Sequence, residues 1–359
     1  MRWYSSEGKR YSKSFKERKE AIRHARSIQE RVDKGKCDRP TRIALEEFIE
    51  EHGRVMVGQV AHTTLKDHLR VLKLFAQHVG GKTLLQRISP RDAESFVSSR
   101  LASGLAIGSV NKDIRTLKGI FNFAIEPRGY LAEDANPFAS IRQRKTTAEP
   151  PEYVSPEEFG KCFQVANNLW WRVFMMLAYT SAGRRDELLN LTWSDIDFEQ
   201  QNVGFLPKKA SDLVLAWQPK DRESRVVPIP PEAIQLLADL QVESDENNPY
   251  VFITTLRWKH ILKRRKEGTW QPDFELINNL TRSMNVICRR ANVKLFTPHD
   301  LRRSCITNWA KKLPIQTVQY LAGHSSMTTT RKYYLSVQRN DLDAAREIQS
   351  ELVTKLTNF

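Results

Sequence analysis

Two short boxes near the end of this chain constrain its fold more than any other feature. One is His299-Asp300-Leu301-Arg302. The other is Gly323-His324, followed nine residues later by Tyr333. Well upstream stand Arg184, in the run Ser181-Ala182-Gly183-Arg184-Arg185-Asp186-Glu187-Leu188, and Lys220, eight residues before Pro228. Two arginines, a lysine, two histidines and a tyrosine can act together only if the fold gathers them from distant segments into one pocket. Any architecture assigned to the chain has to bring these segments together.

Bulk properties limit the choices. The chain has 359 residues, enough for two or three domains, and 40% of them are hydrophobic, which is ordinary for a globular protein. The net charge of +15 favours a polyanionic partner, most simply nucleic acid. Cysteines 37, 162, 288 and 305 lack the close spacing of a zinc or redox motif and are expected to be reduced thiols in the cytoplasm. Met1-Arg2-Trp3-Tyr4 lacks the apolar segment of a signal peptide, and the apolar run Val173 to Tyr179 is too short to span a bilayer. The expectation is a protein with no membrane role, no metal and no cofactor.

The residue pattern predicts a mainly α fold with a small antiparallel β-sheet (α+β), in five stretches. Residues 1–38 are basic and aromatic. Two short strands joined at Glu7-Gly8-Lys9, then a helix from about 19 to 34, would form a small DNA-binding module with Lys9, Arg10 and Lys13 on phosphates. Residues 40–141 read as all helix. Thr63, Ser89 and Ser109 are expected caps, and a shorter helix covers 43–51. Lys112, Arg115 and Lys118 recur at three-residue spacing and could face a DNA backbone, although such a row is usually a solvated face. Residues 142–152, with Arg142, Arg144 and Lys145 and then Pro150-Pro151, read as a basic linker. From 153 to 340 comes a mixed domain. A helix starts at Ser155-Pro156, strands span 193–206 and 225–229, and helices follow at about 231–240, 274–291, 300–311 and 314–322. Residues 341–359 are an amphipathic tail with Leu342, Ala345, Ile348, Leu352, Leu356 and Phe359 on one face.

The polar set suits one kind of chemistry. Cutting a phosphodiester without a metal takes a nucleophile, neutralisation of the non-bridging oxygens and a proton for the leaving oxygen. Guanidinium matches phosphate in a planar fork, and lysine or histidine can supply the proton. A tyrosine oxygen attacks well once ionised. Only roughly one phenol in a thousand is ionised at neutral pH, so its neighbours must favour phenolate or accept its proton.

Order and spacing together resemble the tyrosine recombinase (phage integrase) family. The matching features are the arginine three residues before Glu-Leu, the lysine eight residues before the proline of a Val-Pro strand end, His-x-x-Arg, and Gly-His with tyrosine nine residues on. The resemblance is close over 155–359. It is looser over 40–140, as a core-binding domain, and looser again over 1–38, as an arm-type module. It implies that Arg184 and Arg302 bind the scissile phosphate, Lys220 protonates the 5′ oxygen, His299 assists proton transfer, His324 bonds a non-bridging oxygen, and Tyr333 forms a 3′-phosphotyrosyl intermediate. It further implies double-stranded DNA as partner, a homotetramer on synapsed sites, accessory DNA-bending proteins, a nucleoid-associated location, and integration or excision of a mobile element. The chain departs from the family where Ser181-Ala182-Gly183 replaces Thr-Gly-Leu. It departs again at 207–218, which is longer than the usual hairpin and offers Lys208 and Lys209 as rivals to Lys220. Tyr334 adjoins Tyr333, and the nine-residue spacing selects the latter. A type IB topoisomerase-like enzyme and a catalytically inactive architectural DNA-binding protein are the alternatives.

Overall fold

The computed structural model describes residues 2–4, 10–12, 14–15, 17–33, 42–145, 153–220, 223–270, 276–277, 279–334, 346 and 349. The chain divides into two compact units, Met1–Ala148 and Glu149–Phe359. The expected turn at 7–9, Lys9, Lys13, Cys37, the linker beyond Lys145 and nearly all of the 341–359 tail lie outside the described residues. Among the described residues no helix is long and apolar enough to cross a membrane.

The first unit begins with β1 (Arg2–Tyr4) and β2 (Arg10–Ser12), paired antiparallel with Trp3 opposite Tyr11. Helix α1 (Arg18–Asp33) follows. Arg10 lies in β2, and its side chain is outside the described residues. Four helices then form a bundle: α2 (Leu45–Val55), α3 (His62–Val79), α4 (Pro90–Ala102) and α5 (Ile107–Ile125). Apolar residues at helical spacing turn inward, among them Leu65, Leu72 and Phe75 of α3 and Val110, Ile114, Leu117 and Phe121 of α5. Phe75 meets Phe96, Phe121 and Phe138 edge-on, with ring centroids 5.2, 5.9 and 5.2 Å away. Asp113 is buried in α5 and accepts from Arg70 at 2.8 Å and Arg100 at 3.0 Å, so its charge is paired.

Ser89 caps α4 as expected, with its N–H donating to Asp92 at 2.8 Å. Thr63 and Ser109 are not caps. Their helices begin earlier, with Ala61 and Ala106 at the cap positions and no capping side chain. Burial of an apolar face stabilises a helix more than one hydroxyl does, so the first turn extends past the local signal. The first residues of the basic run 142–152 pack against α5. Asn111 of α5 donates to the Arg144 carbonyl at 2.8 Å and accepts its N–H at 3.0 Å. Arg115 donates to Gln143 at 3.2 Å and Lys118 to the Ala139 carbonyl at 2.9 Å, which holds the segment against α5.

The second unit starts with α6 (Pro156–Val165), capped reciprocally by Ser155 and Glu158. Helix α7 (Leu169–Thr180) is its central element, and the short α8 (Arg185–Leu189) follows. The sheet runs in the order β3 (Ile196–Asp197), β4 (Asn202–Phe205), β5 (Arg225–Pro228), all antiparallel, with Phe205 opposite Arg225. Trp193–Asp195 forms a 3-10 turn rather than the expected strand, because Asp195 folds back to accept the Thr192 N–H at 2.7 Å. Then come α9 (Pro231–Val242), α10 (Thr255–Lys266), α11 (Leu280–Arg290), α12 (Pro298–Ala310), α13 (Ile315–Ala322) and α14 (Met327–Tyr334). Helices α9 and α12 pack on α7. Helix α10 is not announced by the residue pattern, since a run this basic buries only Trp258 and Ile261. Helix α11 starts at Leu280 instead of about 274, after Asn279 in the left-handed region at φ 67°.

The long excursion between β4 and β5 is ordered by the rest of the unit. Lys208 and Trp217 bridge as an antiparallel pair. The Tyr250 hydroxyl accepts the Leu215 N–H at 2.8 Å, and Arg265 donates to the Ser211 and Asp212 carbonyls at 2.7 and 2.9 Å.

Candidate active site

The end of α13 organises this site. Gly323 adopts φ 59°, and the N–H groups of Gly323 and His324 return to the carbonyls of Tyr320 and Gln319 at 3.0 and 3.1 Å. This closure leaves the last carbonyls of the helix pointing outward. Three successive ones each accept from a different arginine. Leu321 takes Arg225 Nε at 3.0 Å, Ala322 takes Arg302 Nη2 at 2.6 Å, and Gly323 takes Arg184 Nη2 at 2.8 Å. Cations suit a helix C-terminus, where the peptide dipoles carry partial negative charge.

Glu187 sits among the same arginines. Its Oε1 accepts from Arg184 Nη1 at 2.8 Å and Arg225 Nη1 at 3.1 Å. Its Oε2 accepts from the Arg184 N–H at 2.7 Å and Arg225 Nη2 at 2.6 Å, with Arg302 Nη1 at 4.0 Å. Burial alone would raise this carboxyl, but the hydrogen bonds and charge of Arg225, together with Arg184, outweigh it and hold the pKa at about 2. Arg302 is 3% exposed and also donates to the Ala182 carbonyl. Burial, and then the charge of Arg184, lower its pKa to about 10, so it stays cationic at neutral pH.

The turn before α8 explains the departure at 181–183. Ala182 takes φ 49°, while a Cβ on Gly183 would lie 2.7 Å from Leu188 Cδ2 and 2.9 Å from Phe205 Cζ. The glycine stands at the crowded position and the alanine accepts the left-handed backbone.

His299 lies in the first turn of α12, behind a cap in which Thr297 and Asp300 bond at 2.8 and 2.7 Å. Although the residue is exposed, desolvation of its ring, then the charges of Arg303 and Arg302, push the imidazole below its ordinary value. His324 is 7% exposed. Its Nδ1 lies 2.9 Å from Thr330 Oγ1, and its ring stacks on Tyr333 with centroids 6.0 Å apart and planes 19° apart. Tyr333 is half-buried against Ala182, Cys305, Ile306, Val318 and Ala322. Burial raises its phenol, and Arg302 and Arg303 oppose that shift. The Tyr334 hydroxyl instead donates to the Leu313 carbonyl at 2.6 Å, a structural bond.

The fold therefore brings Arg184, His299, Arg302, His324 and Tyr333 to one region. Lys220 lies in an exposed turn before β5, and no bond among the described residues ties it to the other five. Its rival Lys208 is committed elsewhere, with Nζ 2.8 Å from Asp195 Oδ2 and 5.2 Å from the Trp217 ring centroid. Lys209 is exposed.

The Phage integrase family model matches residues 152–340, more than half of the chain, and the model of the phage integrase N-terminal SAM-like domain matches residues 55–127. The chain belongs to the phage integrase family of tyrosine recombinases. As a tyrosine recombinase it is a site-specific recombinase, an enzyme of DNA strand cleavage and transesterification. It is 29% identical to the tyrosine recombinase XerA of Pyrococcus furiosus over 257 residues, which is 70% of this chain and 79% of that protein. Its fold is similar to the Tn1549 transposon integrase in complex with transposon right end DNA (TM-score 0.61, 18% identity, 86% of this chain and 100% of that one). It is similar also to a lambda integrase tetramer bound to a Holliday junction (TM-score 0.61, 17% identity, 92% and 91%).

Three polar residues of this tyrosine recombinase's site were not singled out from sequence: Glu187, Arg225 and Thr330. A signal existed for each. Glu187 is the third residue of a helix opened by Arg184, and Thr330 is six residues past His324. Arg225 shares the inward face of an alternating strand with Val227.

The basic residues expected on DNA give a mixed picture. Lys112, Arg115 and Lys118 are exposed, yet each is bonded within its own unit, Lys112 through Asp67 at 2.8 Å. Arg142, Arg144 and Lys145 are exposed.

Proposed function

We propose that the chain is the integrase of a mobile element and integrates or excises it by cutting and rejoining DNA. In this reading Tyr333 attacks the scissile phosphorus, a 3′-phosphotyrosyl bond forms and the bond to the 5′ oxygen breaks. Arg184 and Arg302 bind the non-bridging oxygens. A guanidinium carries five N–H donors, so Arg302, anchored through two of its nitrogens, retains donors for phosphate. The Thr330 hydroxyl, donating to Nδ1, would leave Nε2 of His324 as an N–H donor to the phosphate. His299, kept neutral near pH 7, takes the phenol proton. Lys220 supplies the proton to the leaving 5′ oxygen. The phosphotyrosyl bond conserves the energy of the cut, so rejoining requires no cofactor.

One observation supports this reading more than the others: the three consecutive carbonyls at the C-terminal end of α13 and its cap that orient the arginines, immediately before His324, whose ring lies against Tyr333. The residues of 1–38 and the basic run 142–145 would contact the duplex outside the crossover, and a homotetramer would hold two duplexes. The mobile-element assignment draws on the transposon and lambda integrases that share the fold. Accessory bending proteins belong to the same proposal.

The test uses a nicked suicide duplex carrying a site selected from a randomised pool by retention on the protein. Wild type and Tyr334→Phe should form a covalent adduct, and Tyr333→Phe should form none. An adduct that persists in Tyr333→Phe sinks the assignment.

A further inference from the structure

Arg225 takes no part in the steps above, yet it is the most completely held arginine at the site. It is 2% exposed at the start of β5. Its guanidinium carbon lies 4.3 Å from the Phe205 ring centroid, both terminal nitrogens rest on Glu187, and Nε rests on the Leu321 carbonyl. A Cβ on Gly323 would come 2.8 Å from its Nη1, so the backbone of the turn has been left bare to admit it. Burying a cation this deeply is costly unless partners surround it.

Glu187 explains why it is there. A buried carboxylate beside Arg184 and Arg302 attracts the same charge that a phosphate requires. A phosphodiester attacked by a phenolate carries two negative charges in the transition state. Arg184, Arg225 and Arg302 against the single charge of Glu187 leave two positive charges, which match it. Without Arg225 only one would remain, and Glu187 would draw on the other two arginines alone. Arg225 also ties β5, and with it the turn that carries Lys220 five residues earlier, to the end of α13.

We propose that Arg225 is a positioning residue of the recombination reaction: it engages the Glu187 carboxylate and the end of α13 so that the charge of Arg184 and Arg302 is directed at the scissile phosphate. This rests on the reading that those two arginines bind that phosphate.

The experiment uses the full chain and the same selected suicide duplex, made with either a phosphodiester or a methylphosphonate at the scissile position. The methylphosphonate removes one negative charge. Single-turnover cleavage of the diester by R225Q should fall about 10²-fold, comparable to loss of one preorganised cationic partner. Its Kd for the duplex should stay within about threefold, since the residue contacts protein alone. On the methylphosphonate the deficit should shrink to a few-fold. A deficit that is equal on both substrates, or that tracks the folded fraction measured by thermal melting, overturns the proposal. Where R225Q does not fold, R225K decides, because it keeps a positive charge beside Glu187. Diester cleavage within about tenfold of wild type, or a larger deficit that shrinks on the methylphosphonate, supports the proposal, and a folded variant with the same larger deficit on both substrates overturns it. A wild-type protein that forms no adduct sinks the catalytic reading itself, whereas a wild-type adduct with unimpaired R225Q sinks this inference alone.

Discussion

Glu187 shows how a single residue ties stability to the candidate active site. Its carboxyl is held at about 2 in the folded chain, against an ordinary value of 4.5. A depressed folded value stabilises the native state fully above the unfolded pKa, and that stabilisation is lost as pH falls from about 4.5 to about 2. The shift corresponds to about 3 kcal/mol, as an order of magnitude for a buried pair. Urea unfolding between pH 6 and pH 2.5 should show this loss in wild type, and Glu187→Gln should lack that part of the slope. His299 gives a second pH prediction. Its imidazole lies below 6.5, so a base role predicts cleavage that declines only as pH falls below that value. Single-turnover rates from pH 5 to 8 should show that acid limb in wild type and none in His299→Gln. For Lys220, a 5′-bridging phosphorothiolate offers a leaving group that needs no proton. Lys220→Ala should cleave it nearly as fast as wild type while losing about 10²-fold on the ordinary duplex.

At the level of elements, two turns set the geometry, and both depend on glycine for steric reasons. Gly183 leaves room for Leu188 and Phe205 behind the Arg184 turn. Gly183→Ala should cost about 1–3 kcal/mol by overpacking, read as a lower urea midpoint, and should slow cleavage by moving Arg184. Gly323→Ala should be worse, because the left-handed backbone costs a residue with a Cβ roughly 1–2 kcal/mol before the clash with Arg225 is counted. Tyr334 is tied to Leu313 and holds α14, so Tyr334→Phe should cost about 1 kcal/mol of stability without removing the adduct. Element boundaries were legible where a local cap coincides with packing, as at Ser89 and Ser155. They were not legible where burial carried the helix past its hydroxyl, as in α3 and α5. Helix α10 was not legible because its stabilising partners lie on the 207–218 excursion and in a small apolar cluster with Tyr250 and Ile253, which no periodicity records.

At the scale of the whole molecule, charge is the property that acts at long range. A net charge of +15 predicts DNA affinity that falls steeply with salt. Replacing Arg142, Arg144 and Lys145 together with alanine should reduce the slope of log K against log salt by about 0.9 for each phosphate that these side chains neutralise, measured by titration between 50 and 200 mM salt. Lys118→Ala should instead lower the stability of the first unit, since its ammonium holds the Ala139 carbonyl. An unchanged slope in the triple variant would remove that run from the DNA interface.

The sequence by itself determined the alternation of buried and exposed faces, and hence a helical chain with a small sheet. It also carried the order of the polar boxes, because periodicity and motif spacing are local properties of a chain. Only the tertiary structure decided that Arg184, Arg225 and Arg302 meet on three neighbouring carbonyls of one helix end, with Glu187 held between them. No local pattern encodes that arrangement. It arises where α8, β5, α12 and α13 pack together, since a buried carboxylate and buried guanidinium groups persist only where each supplies the other's missing hydrogen bonds.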